Sequence, residues 1–276
     1  MSQETPARPL KHVLITGAAS GIGKACAGKL IQQGVSVSVL DIAKPDFGVS
    51  NYAELNLASP ESVTKAIASA KGFAKQDGPF DTLLNIAGVP PRPNQQAQVL
   101  AINWLGQKQL TTGLVDSIGA GGSIVNMASK AGSFWRDNLQ QVRDLMVLSS
   151  PDELDDFFKA HPIDATRAYN LSKETMIVWT MAITAALKKR DIRVNSVSPA
   201  AVDTGILGDF KNAFGAMVDK NLSMVGRPGN PDEIADVALF LASPESAWIR
   251  GNDIVVDGGM GALMQSGAME LSIDAI

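Results

Sequence analysis

The chain has 276 residues, 45% of them hydrophobic, and a formal net charge of −4. That length and apolar content suit one large α/β domain, and the weakly acidic balance excludes the basic patch that a nucleic-acid partner requires. The single cysteine, Cys26, excludes an internal disulfide and suits a reducing cytoplasm, while His12 and His161 stand too far apart to make a zinc cluster, so no metal is expected. The first ten residues hold two prolines and no apolar run, which does not read as a signal peptide. Apolar stretches are short and interrupted, so no membrane span is expected either.

From the N-terminus, short β-branched runs alternate with longer helical patterns. His12–Thr16 reads as a buried strand. The loop Thr16-Gly-Ala-Ala-Ser-Gly-Ile-Gly23 follows and runs into a helix over 22–33, closed by Gly34. A glycine-rich strand-to-helix turn lets backbone amides approach a pyrophosphate without a Cβ in the way. The helix N-terminus then faces the anion with its positive end. Gly17, Ser20, Gly21, Ile22 and Gly23 are therefore candidate cofactor contacts. The next strand, over 36–40, ends at Asp41. An acidic side chain there accepts hydrogen bonds from the adenosine ribose and repels a 2′-phosphate, which favours NAD over NADP. Lys24 and Lys44 stand near enough in the chain to leave NADP open.

Further strands are expected over 82–85, 123–127, 193–198 and 253–257, with helices over 60–74, 96–118, Ala165–Lys188 and 231–241. Strands alternating with helices mean a doubly wound parallel sheet with helices on both faces. Ser59-Pro60, Ser150-Pro151 and Asn230-Pro231 each put a capping side chain before a proline at the first helical position. Glu153 and Glu233 complete capping-box patterns in the last two. The segment 134–166 fits the alternation poorly. It carries Leu139, Val142, Leu145 and Met146 at helical spacing, then a second capped helix with Phe157 and Phe158. It reads as two helices inserted over the carboxyl edge of the sheet, either as packing and subunit contact or as a substrate lid. Trp135 opens it, as packing or as a pocket wall. The apolar tail 260–276, with Leu263, Met264, Met269, Leu271 and Ile273, either packs on a partner subunit or closes over the pocket.

Tyr169-Asn-Leu-Ser-Lys173 places a phenol and an ammonium one helical turn apart. A free phenol, with a pKa near ~10, is a poor base at neutral pH, and a neighbouring cation is expected to lower that value. Proton transfer is most efficient when the group titrates close to the working pH.

Taken in order, the glycine loop, Asn85-Ile-Ala-Gly88, Asn103, Ser129 and the Tyr169/Lys173 pair resemble the short-chain dehydrogenase/reductase family, over nearly the whole chain. The resemblance implies a single Rossmann-like NAD(P)-binding domain with a helical insertion at about 134–166. It implies an oxidoreductase that passes a hydride between NAD(P) and an alcohol or ketone. Ser129 would hold the substrate oxygen, Tyr169 give or take the proton, and Lys173 bond the nicotinamide ribose. Asn103 would hold a water in the proton relay. Asn85, Ala87 and Gly88 would flank the adenosine, and Asn56 and Leu57 border the adenine. Pro199, Val202 and Thr204 would lie by the carboxamide.

Three positions depart from the family pattern: Ile86 replaces an Asn, Asn56 an Asp, and Ala200 a Gly after Pro199. Ser129 and Tyr169 also lie 40 positions apart, far more than in most members. That long insertion resembles a subgroup with bacterial 3α-hydroxysteroid dehydrogenase/carbonyl reductase and coniferyl alcohol dehydrogenase. It implies a bulky hydrophobic alcohol or ketone, whether a steroid, an aryl alcohol or another hydrophobic carbonyl compound, and the family resemblance implies a homo-oligomer, dimer or tetramer. A cofactor-binding regulator without turnover would show a broken Ser/Tyr/Lys set, and here the set is intact. A dehydratase or epimerase of the same fold would carry a larger C-terminal domain.

Overall fold

The computed structural model describes residues 9–271. The N-terminal stretch before Pro9 and the end of the tail, Ile273 included, lie outside the described residues. The sheet consists of β1 (His12–Thr16), β2 (Ser36–Asp41), β3 (Asn51–Glu54), β4 (Phe80–Asn85), β5 (Ile118–Met127), β6 (Arg193–Pro199) and β7 (Asp253–Val256). The strands stand in the order β3-β2-β1-β4-β5-β6-β7, and each neighbouring pair is parallel. Strand order reverses between β1 and β4, and the carboxyl ends on either side of that switch point frame the crevice where such sheets bind ligands.

The helices are α1 (Gly21–Gln32), α2 (Pro60–Asp77), α3 (Gln96–Leu100), α4 (Gln107–Leu114), α5 (Leu139–Val147), α6 (Leu154–Ala160), α7 (Ala165–Lys188), α8 (Leu207–Phe214), α9 (Ala216–Val225), α10 (Pro231–Ala242) and α11 (Met260–Ala268). The central strands are buried on both faces, as a sheet covered by crossover helices requires. Val13, Ile15, Val37 and Val39 meet Cys26, Leu30, Ile234 and Leu241 from α1 and α10 on one face. Leu14, Leu40, Leu83 and Ile124 meet Val63, Ala70, Leu110 and Leu187 from α2, α4 and α7 on the other. Cys26 is a core residue, and burial pushes its thiol up to about 12. A third apolar cluster joins Leu100 and Trp104 to Val142, Leu145, Leu154 and Phe157 of the insert and to Tyr169 and Trp179 of α7.

Caps set the helix starts where the sequence marks them. Ser59 accepts from the Ser62 amide at 3.2 Å, and both capping boxes form, Ser150 with Glu153 and Asn230 with Glu233. At the other end of α10, the buried Arg193 guanidinium donates to the Leu241 and Ala242 carbonyls at 2.9 and 3.2 Å, closing that terminus.

Several elements differ from the sequence expectation. β3 is an edge strand, half exposed, so pairing with β2 holds it without an apolar run to announce it. The helix expected over 96–118 is interrupted by a π segment, Ala101–Gly106, and gives way to β5 at Ile118. A Cβ on Gly106 would stand 2.2 Å from the Leu57 carbonyl oxygen, so close approach of two backbones fixes this stretch. The pairs α8/α9 and the helix α11 fill segments whose conformation the sequence left open.

Candidate active site

The glycine loop joins β1 to α1 at the switch point. Gly17 has φ +75°, in the left-handed region that favours glycine, and a Cβ on it would lie 2.7 Å from Ala87 Cα. A Cβ on Gly23 would lie 2.0 Å from the Gly17 carbonyl oxygen. The loop is thus folded as tightly as backbone allows. Ser20 precedes α1 without capping it through its side chain, and the first turn carries no acidic residue. The leading amides of a twelve-residue helix therefore point outward without a side-chain acceptor, which suits an anion such as a pyrophosphate.

Asp41 is buried at the end of β2. Its Oδ2 accepts from the Ala19 amide of the glycine loop at 2.8 Å and its Oδ1 from Ala43 at 3.0 Å. The carboxylate braces the loop. Thr16 Oγ1 accepts from the Ile86 and Ala87 amides at 3.0 and 3.1 Å, tying the loop to the segment after β4. Thr204 packs beside Gly21, 3.3 Å from where its Cβ would be, and Val202 bridges to Gly229 just after Pro199 ends β6.

Two predicted contacts are turned elsewhere. Asn56 Oδ1 accepts from Ala58 at 3.0 Å within its own turn, while Leu57 is buried under Gly106. Asn85 is buried, donating to Thr111 Oγ1 at 2.9 Å and Asn126 Oδ1 at 2.8 Å below the crevice. In both places nearer protein partners engage part of the amide: Oδ1 of Asn56 and Nδ2 of Asn85. Asn85 therefore steadies β4 rather than presenting its side chain to the crevice. Sequence reasoning missed Gln107, whose Nε2 donates to the Ala87 carbonyl at 2.7 Å. Its spacing of four from Asn103 is the signal that would have found it.

Ser129, Tyr169 and Lys173 converge at the carboxyl ends of β5 and β6. Ser129 caps a short 3-10 turn, Lys130–Gly132, and accepts from Ala131 at 3.2 Å. Gly132 sets this turn on α7: a Cβ there would stand 2.9 Å from the Lys173 carbonyl oxygen and 2.8 Å from Ile177 Cδ1. Tyr169 and Lys173 are buried on one face of α7. Lys173 Nζ donates to the Met127 carbonyl at 2.9 Å and lies 5.7 Å from the Tyr169 ring centroid. Gly88 leaves room for it, since a Cβ there would lie 3.1 Å from Asn103 Oδ1 and 3.6 Å from Lys173 Nζ. Asn103, in the π segment, holds both backbone groups of Val89, accepting from the amide at 2.8 Å and donating to the carbonyl at 2.9 Å. Its side chain is thereby fixed to the chain after Gly88, so any relay water would have to use its backbone or share its remaining lone pair.

The charge state of the pair corrects the sequence expectation. Burial pushes the Tyr169 phenol up to about 12, with Ser129 beside it pulling the other way. Burial alone brings the Lys173 ammonium down to about 8. Lys173 is not among the groups that shift the phenol in this arrangement. Its ammonium is spent on the Met127 carbonyl, and the apolar surroundings disfavour charge on both groups. Phe210 and Phe214 of α8 lie edge-on to the Tyr169 ring, with centroids 5.2 and 6.3 Å away. An Arg92–Asp209 ion pair at 2.9 Å ties α8 to the loop after β4. The tyrosine thus lies buried under an aromatic roof, with burial pushing its phenol upward.

Comparison with known proteins fits this geometry. A family model described as short chain dehydrogenase matches residues 11–139, and one described as Enoyl-(Acyl carrier protein) reductase matches residues 158–261. The stretch between the two matches falls within the insert. The chain is 34% identical over 252 residues to a coniferyl-alcohol dehydrogenase from Pseudomonas sp. (strain HR199 / DSM 7063), covering 91% of this chain and 96% of that one. It is 28% identical to the 3-alpha-hydroxysteroid dehydrogenase/carbonyl reductase of Comamonas testosteroni, covering 92% of this chain and 97% of that one. Its fold superposes with a TM-score of 0.82 on the 3-alpha-hydroxysteroid dehydrogenase from Pseudomonas sp. B-0831 complexed with NADH, at 27% identity over 93% of this chain and 99% of that one.

Proposed function

The chain belongs to the short-chain dehydrogenase/reductase family, and we propose that this oxidoreductase acts on a bulky, ring-bearing alcohol or carbonyl compound with NAD(H) as partner. The observation that carries this reading is the meeting of Ser129, Tyr169 and Lys173 beside the glycine cradle, under Phe210 and Phe214. When bound, the nicotinamide supplies the hydride donor or acceptor. The protein's own groups handle the oxygen and the proton. Ser129 hydrogen-bonds the substrate oxygen. Tyr169 gives its proton to a carbonyl oxygen or takes one from an alcohol. Lys173, anchored on the Met127 carbonyl, would bond the nicotinamide ribose and set its amine beside the phenol. Phe210 and Phe214 offer flat apolar surface to a ring, and similarity to dehydrogenases named for coniferyl alcohol and 3α-hydroxysteroids supports that substrate class. The test is an NADH-fluorescence screen of aryl alcohols, alicyclic secondary alcohols and hydroxysteroids. Turnover confined to small open-chain alcohols would reject the ring-bearing class.

Cofactor choice follows from Asp41. Its carboxylate, held in place by Ala19 and Ala43, repels a 2′-phosphate. NAD⁺ is expected to give the higher kcat/KM on the same alcohol, and a preference for NADP⁺ would overturn the role of Asp41.

The direction of pH dependence follows from Tyr169. With the phenol pushed up, the acid form dominates at neutral pH and suits ketone reduction. Alcohol oxidation needs the phenolate, whose fraction rises about tenfold per pH unit below the pKa. Initial rates should therefore climb for oxidation between about pH 7 and about pH 9 while reduction does not climb. A flat oxidation profile would separate the rate from Tyr169 ionisation.

A further inference from the structure

The helix that carries Tyr169 and Lys173 also carries a buried carboxylate with no part in the chemistry. Glu174 follows Lys173 directly, and its side chain is 1% exposed. Arg167, two turns earlier on the same helix, grips it with both terminal nitrogens, Nη1 to Oε1 at 2.9 Å and Nη2 to Oε2 at 2.7 Å. This pair does not stay within α7. Arg167 Nε and Nη2 also donate to Gln141 Oε1 of α5, at 3.0 and 2.7 Å. Asn138, the residue before α5, donates to Glu174 Oε1 at 2.9 Å and to the Phe134 carbonyl at 3.1 Å. The far end of α5 is held as well, from α4 and the π segment before it. Lys108 Nζ donates to the Met146 and Leu148 carbonyls at 2.8 Å each, and Trp104 Nε1 donates to the Leu145 carbonyl at 3.1 Å.

We propose that Glu174 is a positioning residue that fixes the insert as a rigid wall of the substrate site, rather than a lid. The chain leaves Ser129, turns on Gly132 against α7, passes Phe134 and Trp135, and is caught three residues later at Asn138. Glu174 and Gly132 therefore hold both ends of the stretch that carries Trp135, whose side chain packs on the same apolar cluster as Tyr169. A buried carboxylate is tolerated here because bidentate contact with arginine and an amide donor satisfy it. An apolar residue would pack α7 equally well. It would not dictate where the N-terminus of α5 lands, because a directional acceptor is needed to orient Asn138 and Arg167. The insert opens right after the serine that holds the substrate oxygen, so its root must be set by contacts to the catalytic helix.

This inference deepens the substrate reading above, and two readouts on the full chain keep the two separable. The first is hydrogen–deuterium exchange of Glu174→Ala and Asn138→Ala. Amides over 133–145 should exchange about tenfold faster in both, while those of β1 and β4 keep their protection. Glu174→Gln retains an acceptor for Asn138 and Arg167 and should restore slow exchange. The second is steady-state kinetics with 2-decalone as a fused-ring ketone and NADH. Both alanine variants should raise KM about tenfold with kcat and the NADH dissociation constant held within about twofold, the pattern of lost ground-state binding. Glu174→Gln should return KM toward the wild-type value. Asn138→Ala cuts the link from the half-exposed side and keeps the test valid if Glu174→Ala fails to fold.

Unchanged exchange in Asn138→Ala would overturn the positioning role. Faster exchange with unchanged KM would overturn the wall. If wild-type enzyme does not reduce 2-decalone, the screen above decides the substrate reading, and exchange alone decides whether Glu174 fixes the insert.

Discussion

Replacing Tyr169 by Phe is expected to lower kcat by about 10²–10⁴-fold, the range that a positioned proton donor contributes, with the NADH dissociation constant unchanged. The variant removes one oxygen and nothing else. Tyr169 is 5% exposed and packs edge-on to Phe210 and Phe214, contacts a phenylalanine ring can keep. The hydroxyl is a polar group buried among apolar side chains, which costs desolvation. The thermal midpoint of the variant should therefore equal or exceed that of the parent, as happens when a group kept for activity is removed. Fluorescence titration with NADH, a thermal scan and single-turnover reduction separate the three quantities. Near-normal turnover in the variant would mean that another group moves the proton, and it would remove Tyr169 from the mechanism. Loss of activity together with loss of NADH binding would instead mean that the substitution had damaged the cradle.

The parts of this site that the sequence made legible are those where local backbone physics leaves little choice. A strand, a glycine loop and a helix start within twelve residues have one compact arrangement, and Gly17 and Gly23 adopt it. The Tyr169/Lys173 spacing needs only a helix to bring both side chains to one face. The proline-marked caps at Ser59, Ser150 and Asn230 are likewise local, and each forms. What could not be read depends on contacts between distant segments. Glu174 meets Asn138 across 36 positions, and Trp104 meets Leu145 across 41. No periodicity carries such pairings. The roof of Phe210 and Phe214 lies in a stretch that carries only short helices, so its place over Tyr169 follows from tertiary packing alone.

The charge state of Tyr169 shows the same boundary in energetic terms. Spacing alone puts a cation near a phenol, and from that a lowered pKa follows. Burial of both groups reverses the sign, because desolvation of a charge in an apolar pocket outweighs a cation whose ammonium is turned to a backbone carbonyl. Asn56 and Asn85 carry a related lesson. An amide side chain is a versatile donor and acceptor, so a motif position does not say which neighbour wins it. At Asn85 the winners are Thr111 and Asn126, already within reach in the sheet and on α4.

The second large effect is expected at Gly23. Substitution by Val should abolish measurable NAD(H) binding while leaving the sheet intact. The side chain would begin 2.0 Å from the Gly17 carbonyl oxygen, 2.7 Å from its carbon and 3.0 Å from Ala18 Cα. All three are backbone atoms, so no rotamer change relieves the clash. The loop must open or α1 must move away from β1. Forced overpacking of this kind costs about 1–3 kcal/mol, a fraction of the stability of a domain with an extensive two-sided core, so the chain should still fold. Binding is more exposed to the change, because displacing the loop breaks the Ala19 contact to Asp41 and misaims the leading amides of α1 together. Gly34, with open space around it, is the control position: its φ of +76° makes alanine there strained but far from the crevice. Circular dichroism and NADH fluorescence on Gly23→Val and Gly34→Ala give the answer. The expected result is native-like spectra for both, with binding lost only in the first. Retained NADH affinity in Gly23→Val would mean that the pyrophosphate does not lie over this turn, and the cofactor would have to be placed elsewhere on the sheet.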